Sequence, residues 1–264
     1  MPKQKGPIKL KGTLKGICYY SLKGVYISRV ATGPSRERIN TDPAFAKVKA
    51  NNLEFGMGSK LSKAIRTGFL ETAKQFQDTY MASRLSGVCR KIIQKGSGTL
   101  GKREAHIGNY PQALIGYQLN KQLAFNQVYT AKPVVTSHNN RRLITVTIPK
   151  SKVTHLHKQP KNATHFQLTG ALSLVSNYQY QPNEETYKPV TPKQNALGIS
   201  QQTPPLLCKI EHTNLQIQLQ TPVTTELQTN VSIMVWLGIQ YLKLNESTVY
   251  TYKNVKAMHC IAIL

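Results

Sequence analysis

Acidic residues are scarce in this sequence. Its 264 residues include 11 Asp and Glu against 35 Lys and Arg, so the formal net charge is +24. A catalytic site built on paired carboxylates therefore has few candidates. Glu184 and Glu185 are adjacent in a proline-rich stretch, and consecutive side chains point in different directions, so we expect no glycosidase-type pair there.

Cysteines and long apolar runs are also few. Cys18, Cys89, Cys208 and Cys260 are far apart and have apolar neighbours, so we expect buried thiols and no metal centre. No apolar run approaches the roughly 18 residues of a membrane-spanning helix. The first residues lack the continuous apolar segment of a secretory signal. We therefore expect a soluble, cytoplasmic protein without a membrane span.

Recognisable catalytic and metal-binding motifs are missing as well. No serine lies in a nucleophile elbow, and no Cys–His pairing can be inferred. His155, His157 and His165 are neighbours, but no carboxylate or cysteine is close to them and nearby lysines would repel a cation. We expect a surface loop there, no cofactor and no enzymatic activity. An enzyme would need a carboxylate or histidine cluster formed only in three dimensions.

One segment is similar to a phosphate-binding loop. Residues 96–102 (GSGTLGK) fit the G-x-x-x-x-G-K part of the P-loop motif, but Arg103 stands where a Ser or Thr should bind magnesium. The segment also follows a helical pattern, whereas the motif needs a preceding buried strand. We interpret it as a flexible basic linker.

The first 33 residues predict a basic β-ribbon. Residues 7–30 alternate apolar and lysine positions as a β-hairpin does. Two strands alone are marginally stable, so the ribbon must dock on the rest of the chain or on a neighbouring copy. Strand exchange through residues 1–33 would suit a self-assembling structural protein, such as a shell, tube or tail-like component, and we keep this as the alternative function.

Helices are expected next. Thr41 or Asp42 can cap a helix and Pro43 suits its first position, so we predict a helix over residues 43–55 that ends at Gly56. Apolar stripes predict two further amphipathic helices, over residues 59–77 and 79–94.

From about residue 111 the pattern changes to short strands separated by proline- and asparagine-rich loops. Strict alternation at residues 215–219 indicates a half-buried strand, and the longest loop is expected over residues 177–205. The predicted strands cover residues 113–119, 123–129, 143–148, 165–175, 215–219, 231–242, 249–252 and 258–264.

These elements predict an α+β protein. Residues 1–95 would form the basic β-ribbon and two to three amphipathic helices, and residues 96–110 a glycine-rich linker. Residues 111–264 would form an antiparallel, jelly-roll-like β-sandwich, because no helical pattern separates the strands.

Positive charge is concentrated towards the N-terminus. Residues 1–110 hold 21 Lys and Arg and 6 acids, whereas residues 111–264 hold 14 and 5. Such an excess favours nucleic acid or another polyanion as the partner. No helix-turn-helix, zinc-finger, RNP or KH signature is found, so binding should be directed at the backbone and independent of base sequence. The predicted binding residues are Lys9, Lys11, Lys15, Arg36, Arg38, Lys60, Lys63 and Arg66.

The N-terminal part carries three motifs, KGxIKLKGT at residues 5–13, RIxxDPAF at 38–45 and NxEFG at 52–56. With these motifs it resembles a family of uncharacterised proteins common in Bacteroidetes genomes, and the resemblance covers roughly residues 1–95. It implies a bacterial origin and a single architectural unit. Such relatives have no assigned activity, so the resemblance carries no functional residues over.

Overall fold

The computed structural model describes residues 2–22, 24–245 and 248–264, and the chain divides into two compact units, Met1–Lys49 and Ala50–Leu264. Helices account for 27% of the residues and strands for 39%, and the paired strands run antiparallel. The predicted α+β class is therefore confirmed.

The first unit begins with a small antiparallel sheet. Its strands are β1 (Gly12–Leu14), β2 (Ile17–Leu22) and β3 (Val25–Val30), in that spatial order. Lys15 and Gly16 form the turn between β1 and β2 with φ of 46° and 75°, the left-handed pair that a type I′ hairpin turn requires. A bridge from Lys3 to Ile27 adds the residues around Lys3 to the β3 edge.

A short helix and a 3₁₀ turn follow this sheet. The helix α1 (Arg36–Thr41) is capped by the Ser35 hydroxyl and has no counterpart among the predicted helices. The Asp42 carboxylate caps the 3₁₀ turn Pro43–Phe45, accepting a backbone N–H at 3.0 Å. Asp42 and Pro43 thus begin a helical turn, as predicted.

The helix α2 (Ala46–Thr67) is longer than predicted. The predicted end at Gly56 is wrong, because the helix runs on through Gly56 and Gly58. A Cβ on Gly58 would lie 3.1 Å from the carbonyl oxygen of Ser86 and 3.3 Å from the nitrogen of Arg90. The glycine therefore permits close approach of another helix rather than helix termination.

Two further helices are α3 (Leu70–Phe76) and α4 (Met81–Ile93). The prediction over residues 79–94 is confirmed as α4, whereas the helix predicted over 59–77 is divided between α2 and α3. The division lets Phe69 turn inwards, where its ring centroid lies 5.0 Å from that of Trp236.

The second unit continues mainly as antiparallel sheet. In chain order its strands are β4 (Val134–His138), β5 (Leu143–Ser151), β6 (His165–Ser176), β7 (Tyr178–Gln181), β8 (Thr186–Pro189), β9 (Leu197–Gln202), β10 (Leu206–Leu207), β11 (His212–Gln220), β12 (Val231–Asn245) and β13 (Thr248–Ile263). In the large sheet, β6 pairs with β9, β10 and β12, and β12 pairs with β13. The strands β11, β5 and β4 form a second sheet in that order, and β7 pairs with β8.

Most strand predictions are confirmed, and the exceptions have a common cause. The strands predicted over residues 113–119 and 123–129 are wrong, since the 3₁₀ turns Pro111–Ala113 and Phe125–Gln127 lie there. Leu114 and Phe125 are nevertheless buried. The apolar pattern of these segments therefore reflects burial without strand pairing.

Two further corrections concern segments with mixed patterns. The loop predicted over residues 177–205 contains the short strands β7, β8 and β9. The strands predicted over residues 249–252 and 258–264 are both part of the single strand β13, which pairs with β12 through two register shifts.

The large sheet is buried on both faces, and β12 shows this most clearly. Its side chains alternate between two apolar clusters: Val235 and Leu237 belong to one, and Met234 and Trp236 to the other. The first cluster also includes side chains of β5 and β11, and the second includes side chains of α2, α3 and α4. Helices thus cover one face of the large sheet, and the β4–β5–β11 sheet covers the other. Within the described residues, no helix is both long enough and apolar enough to cross a membrane.

Candidate polyanion-binding surfaces

The first unit is strongly basic and mostly exposed. Its sequence holds eleven Lys and Arg against two acids, Glu37 and Asp42, so its own carboxylates cannot neutralise it. Its apolar packing buries one side chain among the described residues, that of Ile27. Among the described residues of this unit, the exposed basic ones are Lys3, Lys5, Lys9, Lys11, Lys15, Arg29, Arg36, Arg38 and Lys47.

The three predicted lysines of the sheet region differ in how free their ammonium groups are. Lys9 Nζ donates to the carbonyl oxygens of Gln4 and Gly6, both at 2.7 Å, so it fixes the preceding loop. Lys11 Nζ lies 5.9 Å from the centre of the Tyr26 ring, a loose cation–π distance. Lys15 is exposed at the tip of the β1–β2 turn. Lys11 and Lys15 are therefore better placed than Lys9 to contact an external anion.

The two predicted arginines lie on α1. Arg36 is its exposed first residue. Arg38 has local partners, because its Nε lies 3.4 Å from Asp42 Oδ2 and its guanidinium carbon 5.3 Å from the centre of the Phe45 ring. The pair with Asp42 is exposed and therefore weak, so Arg38 can exchange it for a phosphate at little cost.

In the second unit, Lys60 and Lys63 of α2 line a common groove of about 400 Å³. The other wall carries Tyr178, Tyr187 and Asn195. Lys60 Nζ donates to Thr186 Oγ1 at 2.8 Å, so this ammonium is tied to the groove wall, whereas Lys63 is simply exposed.

Arg66 does not line that groove. It is half-buried, and its Nε lies inside the protein without a hydrogen-bond partner among the described residues. Its charge acts on the nearby Cys89, where burial raises the thiol pKa and Arg66 opposes the rise. The structure therefore brings Lys60 and Lys63 together and turns Arg66 towards the helical core.

The glycine-rich segment 96–102 binds one of the protein's own carboxylates. Glu54, fully buried in α2, accepts the Gly101 backbone N–H at 2.9 Å, and its Oε1 lies 3.4 Å from Arg103 Nη1. Tyr187 donates its hydroxyl hydrogen to the Gly101 carbonyl oxygen at 3.1 Å. The Gly101 N–H group, which would face a phosphate in a P-loop, is thus already hydrogen-bonded to the protein's own Glu54 carboxylate.

The histidines of the predicted surface loop bind separate partners. The Lys152 backbone N–H donates to His155 Nδ1 at 3.2 Å, while His157 Nε2 lies 3.3 Å from the hydroxyl of Thr130. His165 Nδ1 lies 2.8 Å from the Thr164 hydroxyl. The described residues contain no group of three or more His, Cys, Asp or Glu that could hold a metal ion. The four cysteines are free thiols, and burial raises the pKa of Cys260 to about 12.

A third basic site was not predicted from the sequence. Lys161, Lys209 and Lys243 line one pocket of about 480 Å³ in the second unit, together with Asn162 and Thr164. These lysines come from three distant segments, and no local pattern distinguishes them from other surface lysines. The one signal in the sequence is the overall excess of Lys and Arg over Asp and Glu in residues 111–264.

Comparisons with known proteins add little. No protein-family model matches this chain, and no curated protein matches it. Among solved structures, the chain is similar to the crystal structure of a β-glucuronidase from Parabacteroides merdae, with 12% identity and a TM-score of 0.22. The similarity covers 53% of this chain and spans 14% of that chain. A likeness this weak carries no argument about fold or function.

Proposed function

We propose that this chain is a non-enzymatic protein that binds nucleic acid or another polyanion, without sequence specificity, through its first unit and through α2. The observation that supports this proposal most is the composition and exposure of the first unit, which holds eleven basic residues and only two acidic ones in its sequence. Such charge is self-repulsive unless a partner supplies the counter-charge. Contacts to a phosphate backbone need only exposed cations, which this unit offers.

The predicted residues contribute unequally in this proposal. Lys11, Lys15, Arg36 and Lys63 are exposed and make the direct contacts. Lys9 and Lys60 donate to acceptors within the protein and therefore contribute less binding energy, whereas Arg38 contributes by exchanging its weak pair with Asp42 for a phosphate. Arg66 acts inside the helical core.

The remaining elements form the scaffold. We interpret the large sheet and the β4–β5–β11 sheet as the two layers of a jelly-roll-like sandwich, because both contribute to one apolar cluster. We interpret the β1–β2–β3 sheet as the predicted basic ribbon. The resemblance to Bacteroidetes proteins stays a prediction.

A salt titration of DNA binding tests the main proposal. We expect the full chain to bind labelled duplex DNA at low ionic strength, with an affinity that falls steeply with salt because counterions are released. Replacing Lys11, Lys15 and Arg36 together by Gln should reduce the slope of log K against log salt by about 3, as each lost phosphate contact lowers it by about one.

The matched control removes the same charge from the second unit by replacing the exposed Lys121, Lys132 and Lys193 with Gln. This control should change the slope by less than about 1. Absence of binding at low salt would refute the proposal. Equal slopes for the two variants would show that the first unit does not supply the phosphate contacts.

A second candidate function, self-assembly, is favoured by exposed apolar side chains on the small sheet. Leu14, Ile17 and Val30 lie directly opposite one another across its three strands and are 59%, 37% and 68% exposed. A row of exposed apolar side chains on a short sheet is typical of a surface that packs against a second copy of the same sheet.

Light scattering after size exclusion tests this candidate on the full chain. If copies assemble through the row, replacing Leu14, Ile17 and Val30 by Thr should yield a smaller particle, since Thr keeps the strand preference and removes apolar surface. A monomeric wild type, or an oligomer that the substitutions leave unchanged, would refute assembly through this face.

A further inference from the structure

Lys161, Lys209 and Lys243 line a pocket whose chain segments are held together by hydrogen bonds between residues far apart in the sequence. Thr164, between the lysine-bearing segments, donates its N–H to the Leu242 carbonyl at 3.0 Å and accepts the Leu244 N–H on its hydroxyl at 3.2 Å. Its carbonyl accepts the Cys208 N–H at 3.0 Å. The three segments are thus tied together at one residue, and the pocket is preformed.

The pocket concentrates positive charge. None of the described residues that line it is a carboxylate, and none of its three lysines forms an ion pair with a carboxylate of that part of the chain. Like charges on three lysines that line one pocket of about 480 Å³ repel one another, and a bound anion reduces that repulsion. The pocket therefore fits a ligand that carries several negative charges.

An aromatic surface adjoins the pocket. Lys243 lies directly opposite Tyr250 in the β12–β13 pairing, so the two side chains share a face of the hairpin. Tyr252, two residues on, packs against the apolar cluster below. Its ring meets that of Tyr250 edge-to-face at 5.1 Å. Tyr250 is thereby held in place while remaining 59% exposed.

We infer that this pocket and the exposed Tyr250 ring together form a binding site for single-stranded nucleic acid. The lysines contact the phosphates and Tyr250 stacks on an unpaired base, the combination that sequence-tolerant single-strand sites use. Duplex DNA has no free base face to offer, and an acidic protein surface has no planar base. The inference rests on the proposed polyanion binding and adds a second site with a defined ligand class.

Fluorescence anisotropy with the full chain tests the stacking contact, with a labelled oligothymidylate, its RNA equivalent and a duplex as ligands. Tyr250→Ala should weaken single-strand binding about tenfold and leave duplex binding unchanged. Tyr250→Phe should bind as the wild type does, since stacking needs the ring and not the hydroxyl. Val249→Ala is the matched control: this residue is 65% exposed on the opposite face of the same hairpin and should have no effect.

The lysines are tested by replacing Lys161, Lys209 and Lys243 together with Ala. The salt slope for single-strand binding should fall by about 2, given roughly 0.7 per contacted phosphate of a single strand. The control replaces Lys121, Lys132 and Lys193 with Ala and should keep the slope. Unchanged melting temperatures would show that each variant folds.

The outcomes separate this site from the function on which it rests. A wild-type chain that binds no DNA, RNA or heparin at low salt would overturn both. A chain that binds, with the Tyr250 and pocket variants matching their controls, would overturn the single-strand site alone. Equal losses for heparin and oligothymidylate on Tyr250→Ala would also overturn it, because heparin has no bases to stack.

Discussion

Two buried or half-buried carboxylates hold distant backbone segments together in the second unit. Glu54 fixes the glycine-rich segment at Gly101. Asp78 accepts the N–H groups of Tyr80 and Lys121, both at 2.8 Å, and the Arg84 guanidinium at 2.6 Å. Each carboxylate thus joins two segments that are more than 40 residues apart in the chain.

Asp78 should make stability depend on pH in acid. Burial alone would raise its pKa, but the hydrogen bonds from Lys121, Tyr80 and Arg84 outweigh burial and lower it. A lowered pKa in the folded state means that the stabilisation is complete above the unfolded value near 3.8 and is lost as pH falls through the folded value. We expect Asp78→Asn to cost about 2 kcal/mol at neutral pH and to flatten the decline of stability below about pH 4.

Urea unfolding across pH checks this prediction. Glu71→Gln is the control, because Glu71 pairs with Lys74 at 2.7 Å but its side chain is 80% exposed, so its removal should cost well under about 1 kcal/mol. Equal costs for the two substitutions at neutral pH would contradict the role assigned to Asp78.

At the scale of elements, α2 shows how one residue type can have two roles in one helix. A Cβ on Gly56 would meet nothing within 4 Å, whereas a Cβ on Gly58 would press against the backbone of α4. The first glycine only lowers helix propensity, and the second permits close helix packing. The sequence pattern around them suggested a helix end.

The same substitution at these two glycines should therefore have opposite effects. Gly56→Ala should stabilise the protein by about 0.5–1 kcal/mol through helix propensity. Gly58→Ala should destabilise it by about 1 kcal/mol, because the Ser86 and Arg90 backbone atoms cannot move without shifting α4. Chemical denaturation of both variants measures the difference, and a stabilised Gly58→Ala variant would show that the helices are loosely packed.

At the scale of the whole molecule, the net charge of +24 sets the conditions for stability. At Lys256, burial lowers the pKa and the charge of the nearby Lys253 lowers it further. Basic residues outnumber acids in both units, so repulsion cannot be relieved by ion pairs within the chain.

Added salt should therefore stabilise this protein. Raising sodium chloride from about 0.02 M to about 0.2 M should increase the free energy of unfolding by about 1 kcal/mol, because screening weakens repulsion between like charges. Urea is the suitable denaturant because it adds no ions. The variant with Lys121, Lys132 and Lys193 replaced by Gln should start more stable at low salt and gain less. A decrease of stability with salt would mean that attractive pairs dominate.

The sequence by itself determined the net charge, and its local patterns predicted much of the secondary structure. The apolar stripe of α4, the alternation of β11 and the apolar runs of β6 and β12 were predicted because backbone period and one-sided burial leave a pattern within a few residues. The Asp42–Pro43 turn was predicted for the same reason, since capping is a local interaction.

Only the tertiary structure decided which distant residues meet. Glu54 reaches Gly101, Gly58 faces α4, and Lys161, Lys209 and Lys243 converge where Thr164 joins their segments. The apolar patterns of segments 113–119 and 123–129 predict strands because burial alone resembles a strand pattern, while pairing needs a free partner edge elsewhere in the fold. Contacts of this kind depend on the packing of the whole unit, so they cannot be predicted from a short stretch of neighbouring residues.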